Sequence, residues 1–162
     1  MRLYLVRHGK AEFGSEDADR HLSPRGRADV EAMASYLAAQ EISVSRVVHS
    51  TLARARETAE ILAAKLAPGT MAKELDGIEP WGNVKAFASL TEKWTEDTVV
   101  CGHEPFMGQA LSYLVTGNPH AELVDVKTGS VMALARNIHN PSWQMRWMVL
   151  PRIVRGPKRG ED

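Results

Sequence analysis

Cysteine is almost missing from this chain: Cys101 is the only one in 162 residues. A single thiol cannot form an intramolecular disulfide, so the fold must rest on its core, and the chain suits a reducing compartment. An excess of charge of one sign is missing as well, with 20 Lys+Arg facing 20 Asp+Glu. That balance removes the usual electrostatic drive toward nucleic acid or an anionic membrane and leaves only local patches as sources of field. No apolar run reaches the roughly 18 residues that a membrane-spanning helix needs. The opening MRLYLVRHGK meets charge too early for a signal peptide. Metal-ligand spacing is also lacking, because none of the six histidines is paired as HxH or HxxxH and no second cysteine accompanies the first. These absences lead to the expectation of a cytoplasmic protein with no metal, no cofactor, no nucleic-acid partner and no membrane.

What is present is globular in character: 44% hydrophobic and 25% charged residues. A chain of this length buries roughly 68–70% of its unfolded surface, enough for one self-sufficient core. The expected organisation is a single domain over residues 1–150, then a loosely held Pro/Gly-rich charged tail over 151–162 (PRIVRGPKRGED). Leu3-Tyr4-Leu5-Val6, Val47-Val48 and Thr98-Val99-Val100-Cys101 read as buried strands. Each is followed by a helical pattern. Ser23-Pro24 opens one, with Val30, Met33, Ala34 and Leu37 as its apolar stripe. Others run over residues 52–66, 84–93 and 105–115, the last closed by Gly117-Asn118-Pro119. Strands separated by helices predict βαβ units and a three-layer α/β/α sandwich with a mostly parallel sheet. Residues 129–137 and 142–150 read as two further strands, an antiparallel C-terminal edge. Residues 12–20 (EFGSEDADR) read as an exposed acidic loop.

The chemistry stands at the strand ends. The first strand runs into Arg7-His8-Gly9, the second into His49-Ser50-Thr51 with Arg54 beyond, the third into Gly102-His103-Glu104-Pro105. In open parallel sheets the carboxyl ends of neighbouring strands line one crevice, where ligands bind. Histidines, two arginines and hydroxyls converging there suit an anion, above all phosphate. Arg54 in a first helical turn faces the positive end of the helix dipole, which costs up to about 1 kcal/mol. A bound anion relieves that conflict; a solvated arginine is the simpler alternative. His8 reads either as a packed histidine or as a reacting one, and Gly9 favours the second by allowing a sharp turn and close ligand approach. His49 reads equally well as pointing out of the crevice, and His21, His120 and His139 lie in loop-like surroundings.

Leu5-Val6-Arg7-His8-Gly9 resembles the signature of the histidine phosphatase superfamily, with its phosphoglycerate-mutase-like fold. The stretch from Ser50 through Arg54-Ala55 to Thr58 resembles that family's second motif, Gly102-His103-Glu104-Pro105 its third, and Leu22-Ser23-Pro24-Arg25-Gly26 the turn before its first long helix. The order holds along nearly the whole chain, and the compact length is most similar to SixA-type phosphohistidine phosphatases. Two positions depart from the pattern: Thr51 stands where the family usually has proline, and Gly14 where the mutase branch has an asparagine.

The resemblance implies that His8 attacks phosphorus and is transiently phosphorylated, while Arg7, Arg54 and His103 hold the phosphoryl oxygens and lower the His8 pKa. Gly9 and Ser50 are further candidates for contacting the phosphate. Glu79 is the candidate general acid, with Glu104 beside it. Without a dedicated acid, phosphohistidine is the better substrate, because a protonated phosphohistidine releases neutral imidazole whereas a phosphomonoester must expel an alkoxide. The implied partner is therefore a phosphohistidine-bearing protein, such as a phosphotransfer domain of a signalling relay. The alternatives are a small phosphorylated metabolite or a phosphate-binding domain without turnover. Arg152, Arg155, Lys158 and Arg159 in the tail read as solvated charges.

Overall fold

The computed structural model describes residues 1–14 and 16–156. β1 (Arg2–Arg7) alternates its side chains between two apolar layers. Tyr4 and Val6 join Val99 and Cys101 on one face of the sheet, and Leu3 and Leu5 join Val100 on the other. A strand apolar on both sides must lie centrally between helical layers. β1 does so, pairing in parallel with β4 (Thr98–Gly102) and antiparallel with β5 (Val131–Ala135). With β2 (Arg46–His49), β3 (Lys73–Glu74) and β6 (Gln144–Val149) the sheet has six strands in the order β3-β2-β4-β1-β5-β6. The first four of that order are mutually parallel, and β5 and β6 form the antiparallel edge.

α1 (Pro24–Ala39) and α2 (Ala53–Leu66) cover one face of the sheet; α3 (Val84–Glu92) and α4 (Phe106–Thr116) cover the other. Ser23 caps α1 by accepting the Gly26 N–H at 3.0 Å, and the predicted stripe Val30, Met33, Ala34 and Leu37 is buried. Gly117 closes α4 at φ 77°, a conformation an L side chain resists. The three-layer α/β/α architecture with its antiparallel edge is therefore as the sequence predicts. Among the described residues no helix is long and apolar enough to cross a membrane.

Two features differ from the sequence-based expectation. β3 has no apolar signature, being two exposed residues that pair with the end of β2. Residues 151–155 are not a loose tail: α5 (Pro151–Arg155) buries Pro151, packs Val154 against the core, and pairs Arg155 Nη1 with Asp29 Oδ1 of α1 at 3.2 Å. Proline is preorganised for the first helical position, which starts the helix there. The rest of the expected tail, residues 157–162, lies outside the described residues. The loop over 12–20 is exposed as expected, at 12–14 and 16–19, and carries a short 3-10 turn, Asp17–Asp19.

Register sets up the site. Arg7 is opposite Gly102 and His49 is opposite Cys101, so β1, β4 and β2 end at one level. His8, His103 and Ser50, each one residue past a strand, therefore emerge side by side.

Candidate active site

His8 is 8% exposed at the floor of a cavity of about 360 Å³ lined also by Arg7, Arg54, His103, Glu104 and Pro80. Its Nδ1 is 2.7 Å from the Gly9 carbonyl oxygen. A carbonyl only accepts, so Nδ1 carries the proton and Nε2 keeps a lone pair. Arg54 Nε donates toward that Nε2 at 3.3 Å. Burial foremost, then the charges of Arg54, Arg7 and Arg20, hold the His8 pKa down to about 4. The imidazole is thus neutral at physiological pH, with its free nitrogen facing a guanidinium. Burial outweighs the cations that the sequence reading made responsible.

Arg54 is the second residue of α2 and only 4% exposed. Besides His8 it meets Asp17: Nη1 donates to the Asp17 carbonyl at 2.8 Å, and Nη2 lies 3.3 Å from Asp17 Oδ2. Asp17 is the partner of Arg54 that sequence reasoning missed. It lay inside an acidic stretch whose other carboxylates look the same on paper, and only the tertiary fold selects it. Arg7 donates from Nη1 to the Val126 carbonyl at 2.7 Å and leaves its Nε buried without a partner. His103 is 1% exposed, with its ring 5.0 Å from that of His8. Burial first, then His8, Arg54 and Arg7, lower its pKa to about 3, so the ring is neutral rather than a cation.

Ser50 lies behind His103 and does not line the cavity. Its Oγ accepts the Leu52 N–H at 3.3 Å and lies 2.5 Å from His103 Nε2. Ser50 Oγ has one proton and two lone pairs, so it can take the Leu52 N–H and still either donate to Nε2 or accept from it; Nδ1 of His103 has no partner among the described residues. Gly9 is likewise displaced from a phosphate-binding role. Its N–H goes to Thr58 Oγ1 at 3.1 Å, its carbonyl orients His8, and a Cβ there would meet Val30 Cγ2 at 2.7 Å. Glycine is needed here for the close approach of α1. Thr58, fully buried, donates in turn to the Arg54 carbonyl at 2.8 Å, tying the end of β1 to α2. His49 is a packed histidine, its Nδ1 2.7 Å from the Ser50 carbonyl.

The two candidate acids separate clearly. Glu79 is 3% exposed and does not line the cavity, although the next residue, Pro80, does. It accepts from Thr51 Oγ1 at 3.0 Å, Thr51 N at 3.3 Å and Gly77 N at 2.9 Å. Burial pushes its pKa up, but these hydrogen bonds outweigh it and leave the carboxyl below its usual range. Glu104 lines the cavity and has its pKa raised, mainly by burial, against one bond from Gly108 N at 2.7 Å and the charge of Arg7. Of the two, the carboxyl that lines the cavity and has its pKa raised is the better-placed acid.

Comparison with known proteins agrees with the fold. Residues 3–80 match the model of the histidine phosphatase superfamily, branch 1. An uncharacterized protein of Picosynechococcus is 30% identical over 165 residues, covering 88% of this chain and 98% of that protein. The phosphohistidine phosphatase SixA of Escherichia coli K12 is 26% identical over 150 residues, covering 90% and 93%. The structure of the protein histidine phosphatase SixA complexed with tungstate shares the fold, with a TM-score of 0.83 and 24% identity over 95% of this chain and 99% of that one.

Proposed function

Since this chain belongs to the histidine phosphatase superfamily, we propose that it hydrolyses protein phosphohistidine through a phosphoenzyme intermediate on His8. The observation that carries this reading is His8 Nε2, neutral and unprotonated, aimed at a guanidinium inside a pocket of phosphate-binding groups. The Nε2 lone pair forms a bond to phosphorus as the P–N bond of the substrate breaks. Those electrons return to the substrate imidazole, which leaves neutral because its other nitrogen already carries a proton. Water then attacks phosphorus, the N–P electrons return to Nε2, and inorganic phosphate departs. Arg7, Arg54 and His103, with its proton on Nδ1, hold the three phosphoryl oxygens in this reading, and their fixed donors stabilise the charge spread over the transition state.

A protein substrate is supported by the mouth of the pocket. Phe13, 98% exposed, lines it, and Trp81, 73% exposed, is next in sequence to the lining residue Pro80. Two solvated aromatic side chains around a charged pocket suit contact with a macromolecular surface. The similarity to the Escherichia coli SixA over nine-tenths of the chain points the same way.

The position of Glu104 supports a second reading, a phosphomonoesterase in which that carboxyl protonates an alkoxide leaving group. The two are separated by parallel turnover of a phosphohistidine protein and a panel of phosphomonoesters, with acid-quench trapping of labelled enzyme. The first reading expects faster turnover of the phosphohistidine protein and a label lost in His8→Ala. Faster turnover of a metabolite, abolished in Glu104→Gln, establishes the second. Wild-type protein that takes up no label overturns both.

A further inference from the structure

A cavity of about 530 Å³ opens at the other end of the sheet, where β1 begins and α1 ends. His8 is six residues along β1 from Arg2, so the two cavities are about 20 Å apart at strand rise. Arg2 and Tyr4, two apart on β1, share the face that lines this cavity; Tyr36 and Gln40 line it from α1, and Arg146 and Trp147 from β6. The last pair is the informative one. Consecutive residues of a strand point to opposite faces of a sheet, yet Arg146 and Trp147 reach the same cavity. The β5–β6 register slips here: Ala133 is opposite Trp147 and Leu134 opposite Met145, which leaves Arg146 as the extra, unpaired residue. Bulges of this kind re-aim one side chain and recur beside binding sites.

The groups brought together suit one ligand chemistry. Tyr4 is 3% exposed, with its ring 5.9 Å from that of Trp147, so the floor is aromatic. Among the described residues neither the Arg2 nor the Arg146 guanidinium is paired with a carboxylate. Asp97 takes the Arg2 backbone N–H at 2.6 Å but does not line the cavity. β1 and β6 flank β5, which sets the two arginines about 10 Å apart at the backbone, close enough for both forks to meet one phosphate. Gln40 adds an amide that can both donate to and accept from a ring edge. The volume lies within the range of small-molecule sites. We propose that this cavity binds a nucleoside monophosphate, its base against Trp147, which Tyr4 backs, and its phosphate between Arg2 and Arg146.

The test is calorimetric titration of the full chain carrying His8→Ala, which removes turnover in the proposed reaction, with adenosine 5′-monophosphate, adenosine and inorganic phosphate as separate probes. The expected result is saturable binding of the nucleotide, at least tenfold tighter than either fragment. That affinity falls tenfold or more on adding Arg146→Ala or Arg2→Ala, and it survives Arg54→Ala. Both arginines are exposed, so thermal melting of these variants matches the parent, and Arg146→Ala alone retains wild-type phosphatase activity. Three results overturn the proposal: no saturable binding, unchanged affinity in Arg146→Ala, or loss of binding in Arg54→Ala, which assigns the nucleotide to the His8 pocket. Equal affinity for inorganic phosphate and nucleotide overturns the role given to the aromatic floor.

Discussion

At the scale of single residues, Arg54 carries two duties that the same side chain meets with different atoms. Its Nε faces His8 and its two outer nitrogens face Asp17. Arg54→Ala is expected to lower turnover by about 10²–10³, the loss typical of one preorganised donor at a reacting centre, with the fold intact by circular dichroism. Asp17→Ala should act in the opposite direction on binding. Its carboxylate competes with an incoming oxyanion for Nη2, and a half-exposed pair of this kind contributes about 0.5–1 kcal/mol. Vanadate inhibition should therefore tighten by about two- to fivefold, and an unchanged inhibition constant shows that Asp17 does not compete. Thr58→Val removes the acceptor for the buried Gly9 N–H, which should lower stability by about 1–3 kcal/mol in urea unfolding and loosen the peptide that orients His8.

At the scale of elements, the strand ends and helix starts do separate work. Glu79 belongs to the second group, binding the 77–79 turn to the residues that open α2. Glu79→Gln should reduce stability with little effect on leaving-group dependence. Glu104→Gln should slow phosphomonoesters by about 10²-fold or more and spare phosphohistidine, the pattern of a lost general acid. The same division explains what could be read from the sequence. β1 and β4 announce themselves because strands buried on both faces need unbroken apolar runs, and His8 and His103 follow directly after them. β3 could not be found this way, since Lys73 and Glu74 are exposed and are strands only through the neighbour they pair with. Asp17 and the bulge at Arg146 share that property: each is defined by a partner distant in sequence. Gly9 was legible as a necessary glycine, but the neighbour that requires it, Val30, is a tertiary fact.

At the scale of the whole molecule, two buried neutral histidines make stability depend on pH. Both have pKa values lower in the folded than in the unfolded chain, about 4 for His8 and about 3 for His103 against about 6.5 unfolded. Between those limits the unfolded chain binds more protons, so stability is fully present above about pH 6.5 and declines as pH falls through 4. The decline should be shallower in His8→Asn or His103→Asn than in the parent, read as midpoint denaturant concentration against pH. The central place of β1 has a consequence of another kind, in time rather than in energy. Residues 2–7 emerge from the ribosome ahead of both strands that flank them, 98–102 and 131–135. At about 5–20 residues per second, the interval between β1 and the end of β5 lasts roughly 6–26 s. Until then the segment leading into His8 lacks at least one of its two neighbouring strands, and before residue 102 it lacks both. A nascent chain stalled before residue 131 is therefore expected to hold chaperones and to lack a phosphorylatable His8, and one released beyond 156 to acquire both core and chemistry together.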